Sequence, residues 1–204
     1  MRKLTREFYN RTSLDVAKDL LGKYLVHIVD GVEVIGRIVE TEAYMGPFDK
    51  AAHSYNNRRT KRNEVMFGPP GFAYVFAIYG MYSCMNIVAE EAGKPQAVLI
   101  RSLEPVAGLE KMAELRYEKS LSDCNKKELT GLTNGPGKLC QSMHITRINN
   151  GTDMCGGSFY VAEGLEEQEF QVVSTTRVNI DYADEAIHYP WRFFIKGNKY
   201  ISQK

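Results

Sequence analysis

The sequence predicts an α+β fold: one domain, residues 1–204, on a mostly antiparallel β-sheet with surrounding helices and a protruding β-hairpin. Three observations carry that expectation. Apolar, β-rich segments follow one another in runs, with helices interspersed rather than in strict alternation, which favours antiparallel pairing. Two such runs meet at tight-turn dipeptides, Asp30-Gly31 and Tyr79-Gly80. Finally, 204 residues are enough for one full-sized core and short for two, and no linker, repeat or low-complexity tract divides them.

Taken in order, Ser13 is placed to cap a short helix in which Leu14, Ala17 and Leu21 share a face, with Gly22 ending it. Residues 23–44, KYLVHIVDGVEVIGRIVETEAY, read as two strands about Asp30-Gly31, since both turn positions of a two-residue hairpin need positive φ. Residues 46–63 form a long polar, basic loop. A structureless loop longer than about 12 to 15 residues is uncommon in a compact domain and is usually functional. FAYVFAI (72–78) and MYSCMNIV (81–88) make the second hairpin, and QAVLIRS (96–102) a further strand. Residues 108–118 read as a helix with Leu109, Met112 and Leu115 inward. NGPGKLCQSM (134–143) reads as a helix entered through glycines and Pro136. The segments SFYVAEG (158–164), QVVSTTRVNI (171–180) and WRFFIKG (191–197) return to strands.

Hydrophobic residues make up 44% and charged residues 25% of the chain, ordinary values for a soluble globular protein. No stretch approaches the roughly 18 apolar residues of a membrane span, so no membrane partner is expected. The start, MRKLTREFYN, lacks the apolar segment of a secretory signal, which makes the cytoplasm the expected location. Cys84, Cys124, Cys140 and Cys155 contain no C-x-x-C pair, and only His144 lies at a ligand-like spacing, from Cys140. They read as reduced packing residues, with no metal and no cofactor expected. The net charge is +1, but Lys50, Arg58, Arg59, Lys61 and Arg62 cluster in one loop while Glu163, Glu166, Glu167 and Glu169 lie together elsewhere. Such a cluster is either a solvated loop or a local phosphate-binding face.

Few residues are placed for chemistry. Glu42 stands near a strand end just before the basic loop, where a carboxylate can serve as a general base, and Glu40 shares its face by the period of two. The alternative is a pair of surface glutamates. His53 reads as a core, surface or ligand-orienting histidine. Tyr79 beside the tip glycine suits a wedge between stacked bases, unless it folds back onto the sheet. Arg58, Arg59, Lys61 and Arg62 suit backbone phosphate, as does Lys138 beside the amides of the Gly135–Gly137 turn. NGPGKL lacks the full G-x-x-x-x-G-K-[ST] pattern, which speaks against nucleotide hydrolysis.

Four longer segments go further. RIVETEAYMGPFDKAAHS (37–54), RNEVMFGPPGFAYVFAIYGMYSCMNIV (62–88), AVLIRSLEP (97–105) and GPGKLCQ (135–141) occur in the order of the alkyladenine (3-methyladenine) DNA glycosylase family, which the chain resembles from Ser13 to Phe194. The resemblance implies a DNA repair hydrolase whose partner is duplex DNA containing damaged purines. It would flip an alkylated or deaminated purine out of the duplex and hydrolyse its N-glycosidic bond, leaving an abasic site. Glu42 would activate the water, with Arg101 at the water and phosphate side. Tyr44 would stack on the flipped base, His53 lie near its edge, and Asn86 face the 2-amino position of guanine. Phe76 stands where better-known members have a tyrosine, so the stacking face is kept and the hydroxyl lost. Tyr79 would intercalate, and Arg58 and Arg62 fall among basic residues near DNA. No amine nucleophile is placed by the motifs, which implies a monofunctional enzyme, and its size suits a monomer. Two rivals stay open: a non-catalytic nucleic-acid-binding module, and a nucleosidase using Glu40 and Glu42.

Overall fold

Two short helices, α1 (Arg6–Tyr9) and α2 (Ser13–Asp19), lead into the hairpin of β1 (Tyr24–Val29) and β2 (Val32–Tyr44). Its turn has Asp30 at φ 51° and Gly31 at φ 79°, the positive pair that the dipeptide predicts. This computed structural model describes residues 1–78, 80–164 and 169–203, so Tyr79, Glu166 and Glu167 lie outside the described residues. β3 (Ala73–Ile78), β4 (Tyr82–Ala89) and β5 (Gln96–Ala107) follow, then α3 (Leu109–Tyr117), α4 (Lys126–Gly131) and α5 (Pro136–Ser142). The chain ends through β6 (Phe159–Ala162), β7 (Val172–Thr175) and β8 (Arg192–Ile195). The strands form one sheet in the order β3-β4-β5-β2-β1-β6, with β8 pairing both β2 and β7, and each pairing is antiparallel. The α+β expectation holds. The β3–β4 hairpin grows more exposed toward its tip, where Met81 is 77% exposed, as a protruding hairpin should.

β2 is the axis of the molecule. Its second half pairs with β5 on one edge and β8 on the other, and α2 packs against it. Glu42 and Ala43, neighbours that point to opposite faces, are both fully buried, as are Val34, Ile38, Val39, Ile100 and Leu103, so both faces are covered. Side chains of that size each contribute about 1.5–3 kcal/mol when removed from water. The helices differ from expectation in detail. The cap of α2 is Thr12, whose hydroxyl accepts from the Asp15 amide, not Ser13. Ser13 is the first helical residue and turns inward to donate to the Tyr44 carbonyl at 3.2 Å. Val16 and Leu20 join Ala17 and Leu21 in the core, while Leu14 is only half-buried. In α3 the inward residues are Met112 and Ala113. The Asn125/Glu128 capping box of α4 has no counterpart in the sequence reading.

Two further corrections concern the ground around β2. The loop at 46–63 is not structureless. One-turn 3₁₀ helices at Gly46–Phe48 and Tyr55–Asn57 shape it, and buried Asp49, Ser54 and Asn63 tie it down. Asn63 alone donates to the carbonyls of His53 and Arg58 at 3.0 and 2.8 Å. The segment 171–180, read as one strand, pairs only over Val172–Thr175. It then leaves the ladder, because Arg177 is drawn inward to Asp49. The four cysteines are free, Cys84 and Cys140 buried and the other two half-buried. Among the described residues no helix is long and apolar enough to cross a membrane.

Candidate active site

Glu40 and Glu42 are both 0% exposed, which removes the surface reading. The sheet brings them together through a double irregularity. Pairing runs Ile38 with Leu103, Glu40 with Ser102 and Thr41 with Ile100, so Val39 on β2 and Arg101 on β5 have no opposite residue. Bulges of this kind re-aim side chains. Here the bulge lets Arg101 reach both carboxylates, with Nε 3.2 Å from Glu40 and Nη1 3.3 Å from Glu42. Burial works against the Arg101 charge, but Glu42 and Glu40 more than offset it and hold its pKa above the ordinary value.

The two carboxylates then differ. Glu40 accepts from Arg192 Nε at 2.7 Å, Arg101 Nε, the Ser102 hydroxyl at 2.9 Å, the Ser202 amide at 2.7 Å and the Ser202 hydroxyl at 2.9 Å. Those five donors exceed the roughly four acceptor positions of a carboxylate. Burial opposes its charge, yet Arg101, the Ser202 amide and Arg192 hold its carboxyl below the usual range. Glu42 takes fewer. Oε1 accepts from the Val178 amide at 2.8 Å and faces Arg101, while Oε2 accepts from the Tyr44 hydroxyl at 2.9 Å. One acceptor position remains.

Tyr44, Arg101 and Val178, the three partners of Glu42, also line an open pocket of about 230 Å³. Glu42 thus stands one side chain behind the pocket wall. His53, Arg62, Phe76 and Asn86 line the same pocket, so six residues singled out in the sequence meet there. Burial and the Glu42 carboxylate push the Tyr44 phenol well above its ordinary pKa, so it stays a donor. His53 lies 2.8 Å through Nδ1 from the Tyr74 hydroxyl and meets the Phe76 ring edge-on, centroids 4.7 Å apart. One edge of His53 is open to solvent. Even so, packing against these rings, with Arg62 and Arg58 close by, lowers its pKa to about 4, and the ring is neutral at pH 7. Asn86 Nδ2 donates to the Tyr74 carbonyl at 3.2 Å.

Three residues of this site were missed in the sequence. Tyr74 shares a face of β3 with Phe76 by the period of two, a signal that was available. Burial pushes its phenol up to about 12. Arg177 and Val178 offered no local signal. Arg177 makes a buried bidentate pair with Asp49 at 2.6 and 2.8 Å and donates to the Ala43 carbonyl at 2.9 Å. Its guanidinium lies 4.8 Å from the Tyr44 ring centre and 5.0 Å from that of Trp191. This grip carries the next residue, Val178, to Glu42.

The basic loop divides by its partners. Lys50 is held by Asp184 and Glu185 at 3.1 and 2.8 Å, and Arg59 by Glu64. Among the described residues Arg58 and Arg62 pair with no carboxylate. They line a second hollow of about 310 Å³ next to the first, with Thr60 and Tyr182. Arg62 leans inward, its guanidinium 4.9 Å from the Phe76 ring centre. Lys138 is half-buried and donates to Asn134 at 2.7 Å, its pKa lowered by burial and by Arg116 and Lys127. Pro136 of the same helix lines the pocket, and Gly137 packs on Tyr82 of the hairpin.

Comparison with known proteins bears on this arrangement. The family described as "Methylpurine-DNA glycosylase (MPG)" matches residues 7–199. A protein of Alkaliphilus oremlandii is 58% identical over 203 residues, covering 99% of this chain and 100% of its own length. One from Desulfitobacterium hafniense is 56% identical over the whole of both chains, and one from Clostridium acetobutylicum is 54% identical over 98% of this chain and 97% of its own. All three carry the name "Putative 3-methyladenine DNA glycosylase".

Proposed function

The chain belongs to the methylpurine-DNA glycosylase family, and on that footing we propose that it is a monofunctional 3-methyladenine DNA glycosylase. It takes an alkylated or deaminated purine out of duplex DNA and hydrolyses the N-glycosidic bond with a water activated by Glu42. The observation that carries this reading is Glu42 itself: a buried carboxylate with one acceptor position left, behind the wall of a pocket lined by aromatic rings.

An enzyme acting on a base must lift it from the stack at a cost of a few kcal/mol, least for a damaged or mispaired one. Tyr79, which lies between β3 and β4 in the sequence, fills the gap, and stacking on a base is worth about 1–3 kcal/mol. The flipped base lies against Tyr44 and Phe76, with His53 at its edge and Asn86 facing the position of a 2-amino group. Arg101, 3.3 Å away, orients Glu42. Water donates a proton to Glu42 as its oxygen attacks C1′. The C1′–N bond breaks and its electron pair leaves with the base. For a cationic N-methylpurine that departure needs no further proton. A positioned general base typically gives about 10² to 10⁴ in rate. Arg58 and Lys138 take backbone phosphate, Arg62 standing further in at the pocket wall. The protein acts as a monomer in the cytoplasm, at the nucleoid.

The rivals fit less well. A nucleosidase using two carboxylates would need Glu40, whose acceptor positions are all filled. A passive binding module has no use for a buried carboxylate held ready by Arg101 and Tyr44. The test is incubation of the purified protein with duplexes bearing a single 7-methylguanine or hypoxanthine, followed by alkali. Strand cleavage only after alkali is expected. Intact strands, or breaks before alkali is added, would overturn the proposal.

A further inference from the structure

Three guanidinium groups stand around the pocket, and two are neutralised. Arg101 faces Glu40 and Glu42, and Arg177 is locked to Asp49. Arg62 is the exception. It has no carboxylate partner among the described residues, yet it lines the pocket and leans over Phe76 at 4.9 Å. Its neighbour Asn63 is 1% exposed and bonded to the His53 carbonyl, which fixes the Arg62 backbone relative to the pocket. A guanidinium that only gripped phosphate would not need to lie against an aromatic wall of the base site.

We infer that Arg62 is a specificity-determining residue that reads the O6/N7 edge of a flipped 6-oxopurine and disfavours a cationic N-methylpurine. This rests on the glycosylase reading above. Two physical effects point the same way. A guanidinium fork matches the O6 and N7 acceptors of a 6-oxopurine bidentately, and hypoxanthine presents both. A methyl group at N7 removes one acceptor and places positive charge against an uncompensated cation. Phe76 has no hydroxyl; the nearest one on that side of the pocket is the Tyr74 phenol, whose ring lies 5.2 Å from that of Phe76. Guanine shares the O6/N7 edge, and its exclusion falls to the 2-position, where Asn86 is placed.

The test measures dissociation constants in the Glu42→Gln background, so that bound bases stay attached. Duplexes carry one hypoxanthine, one 7-methylguanine or no lesion, and the second substitution is Arg62→Met, which keeps an apolar stem over Phe76. Loss of about tenfold on the hypoxanthine duplex alone is expected, with 7-methylguanine binding unchanged or tighter; a bidentate contact is typically worth that much. Arg62→Lys keeps the charge without the fork, so it should still lose on hypoxanthine but gain nothing on 7-methylguanine. An equal loss on all three duplexes would reduce Arg62 to a phosphate contact, and no change would leave it without a role; either overturns the inference. Failure of the parent protein to release either base would instead overturn the glycosylase reading, because the ratio of dissociation constants judges Arg62 independently of release.

Discussion

Glu40 and Glu42 stand two residues apart on one strand, both sealed from solvent and both facing Arg101. Around Glu40 the molecule is closed. Two arginines and two serines, one of them from residue 202, fill its oxygens. Around Glu42 the donors are fewer, and each belongs to a residue that also lines the pocket. Burial and charge are alike in the two places. On the reading proposed above, what separates the structural carboxylate from the reactive one is the number of donors committed to it and whether those donors border empty space.

That contrast can be broken by exchanging the consequences of mutation. The largest effect is expected at Glu42. In Glu42→Gln, single-turnover base release should fall by about 10² to 10⁴, the span of general-base catalysis. Affinity for a lesion-bearing duplex, measured alongside, should stay near that of the parent. Parental rates would sink the assignment. Glu40→Gln should do the reverse. It leaves Arg101 and Arg192 short of their counter-charge, and breaking a buried pair typically costs about 3–5 kcal/mol in urea unfolding. The folded fraction should keep most of its rate. A stable but inactive Glu40→Gln protein would erase the distinction between the two residues.

Acid sharpens the comparison with a smaller effect. The Glu40 carboxyl is held below its ordinary value of 4.5, so its contribution to stability is present above that value and fades as pH falls through the lowered one. At the pocket mouth, His53 has its pKa lowered to about 4 from 6.5. Between those two values the unfolded chain takes up a proton that the folded one refuses, so stability falls as pH drops from 6.5 toward 4. Because one edge of His53 meets solvent, that slope should be shallow. His53→Asn should remove it while leaving the steeper loss at lower pH, and unfolding midpoints across this range would show both.

The parts of the molecule legible in the sequence are those with local causes. Asp30-Gly31 makes its turn because two adjacent residues tolerate positive φ. Tyr44, His53, Phe76, Asn86 and Arg101 lie within continuous motifs, and they converge on one pocket. Most features missed or misread have distant causes, Tyr74 and the Asn125/Glu128 capping box being local exceptions. Ser13 looked like a cap because nothing nearby shows that its hydroxyl is wanted by the Tyr44 carbonyl, 31 residues on. The bulge that aims Arg101 depends on the register of β2 against β5. Arg177 leaves its strand for Asp49, 128 residues away. The order within the 46–63 loop was hidden for the same reason, since it comes from buried groups bonded to other segments.

The Arg177–Asp49 clasp also sets a timetable for biosynthesis. On the ribosome, β1 to β5 emerge together and can pair early, bringing Tyr44, His53, Phe76, Asn86 and Arg101 with them. Glu42 still lacks its Val178 donor, and Glu40 lacks Arg192 and Ser202, until the last thirty or so residues have been synthesised. On the reading proposed above, base release waits until the tail packs against β2, where Val178 reaches Glu42 and Asn179 and Tyr182 complete the pocket wall.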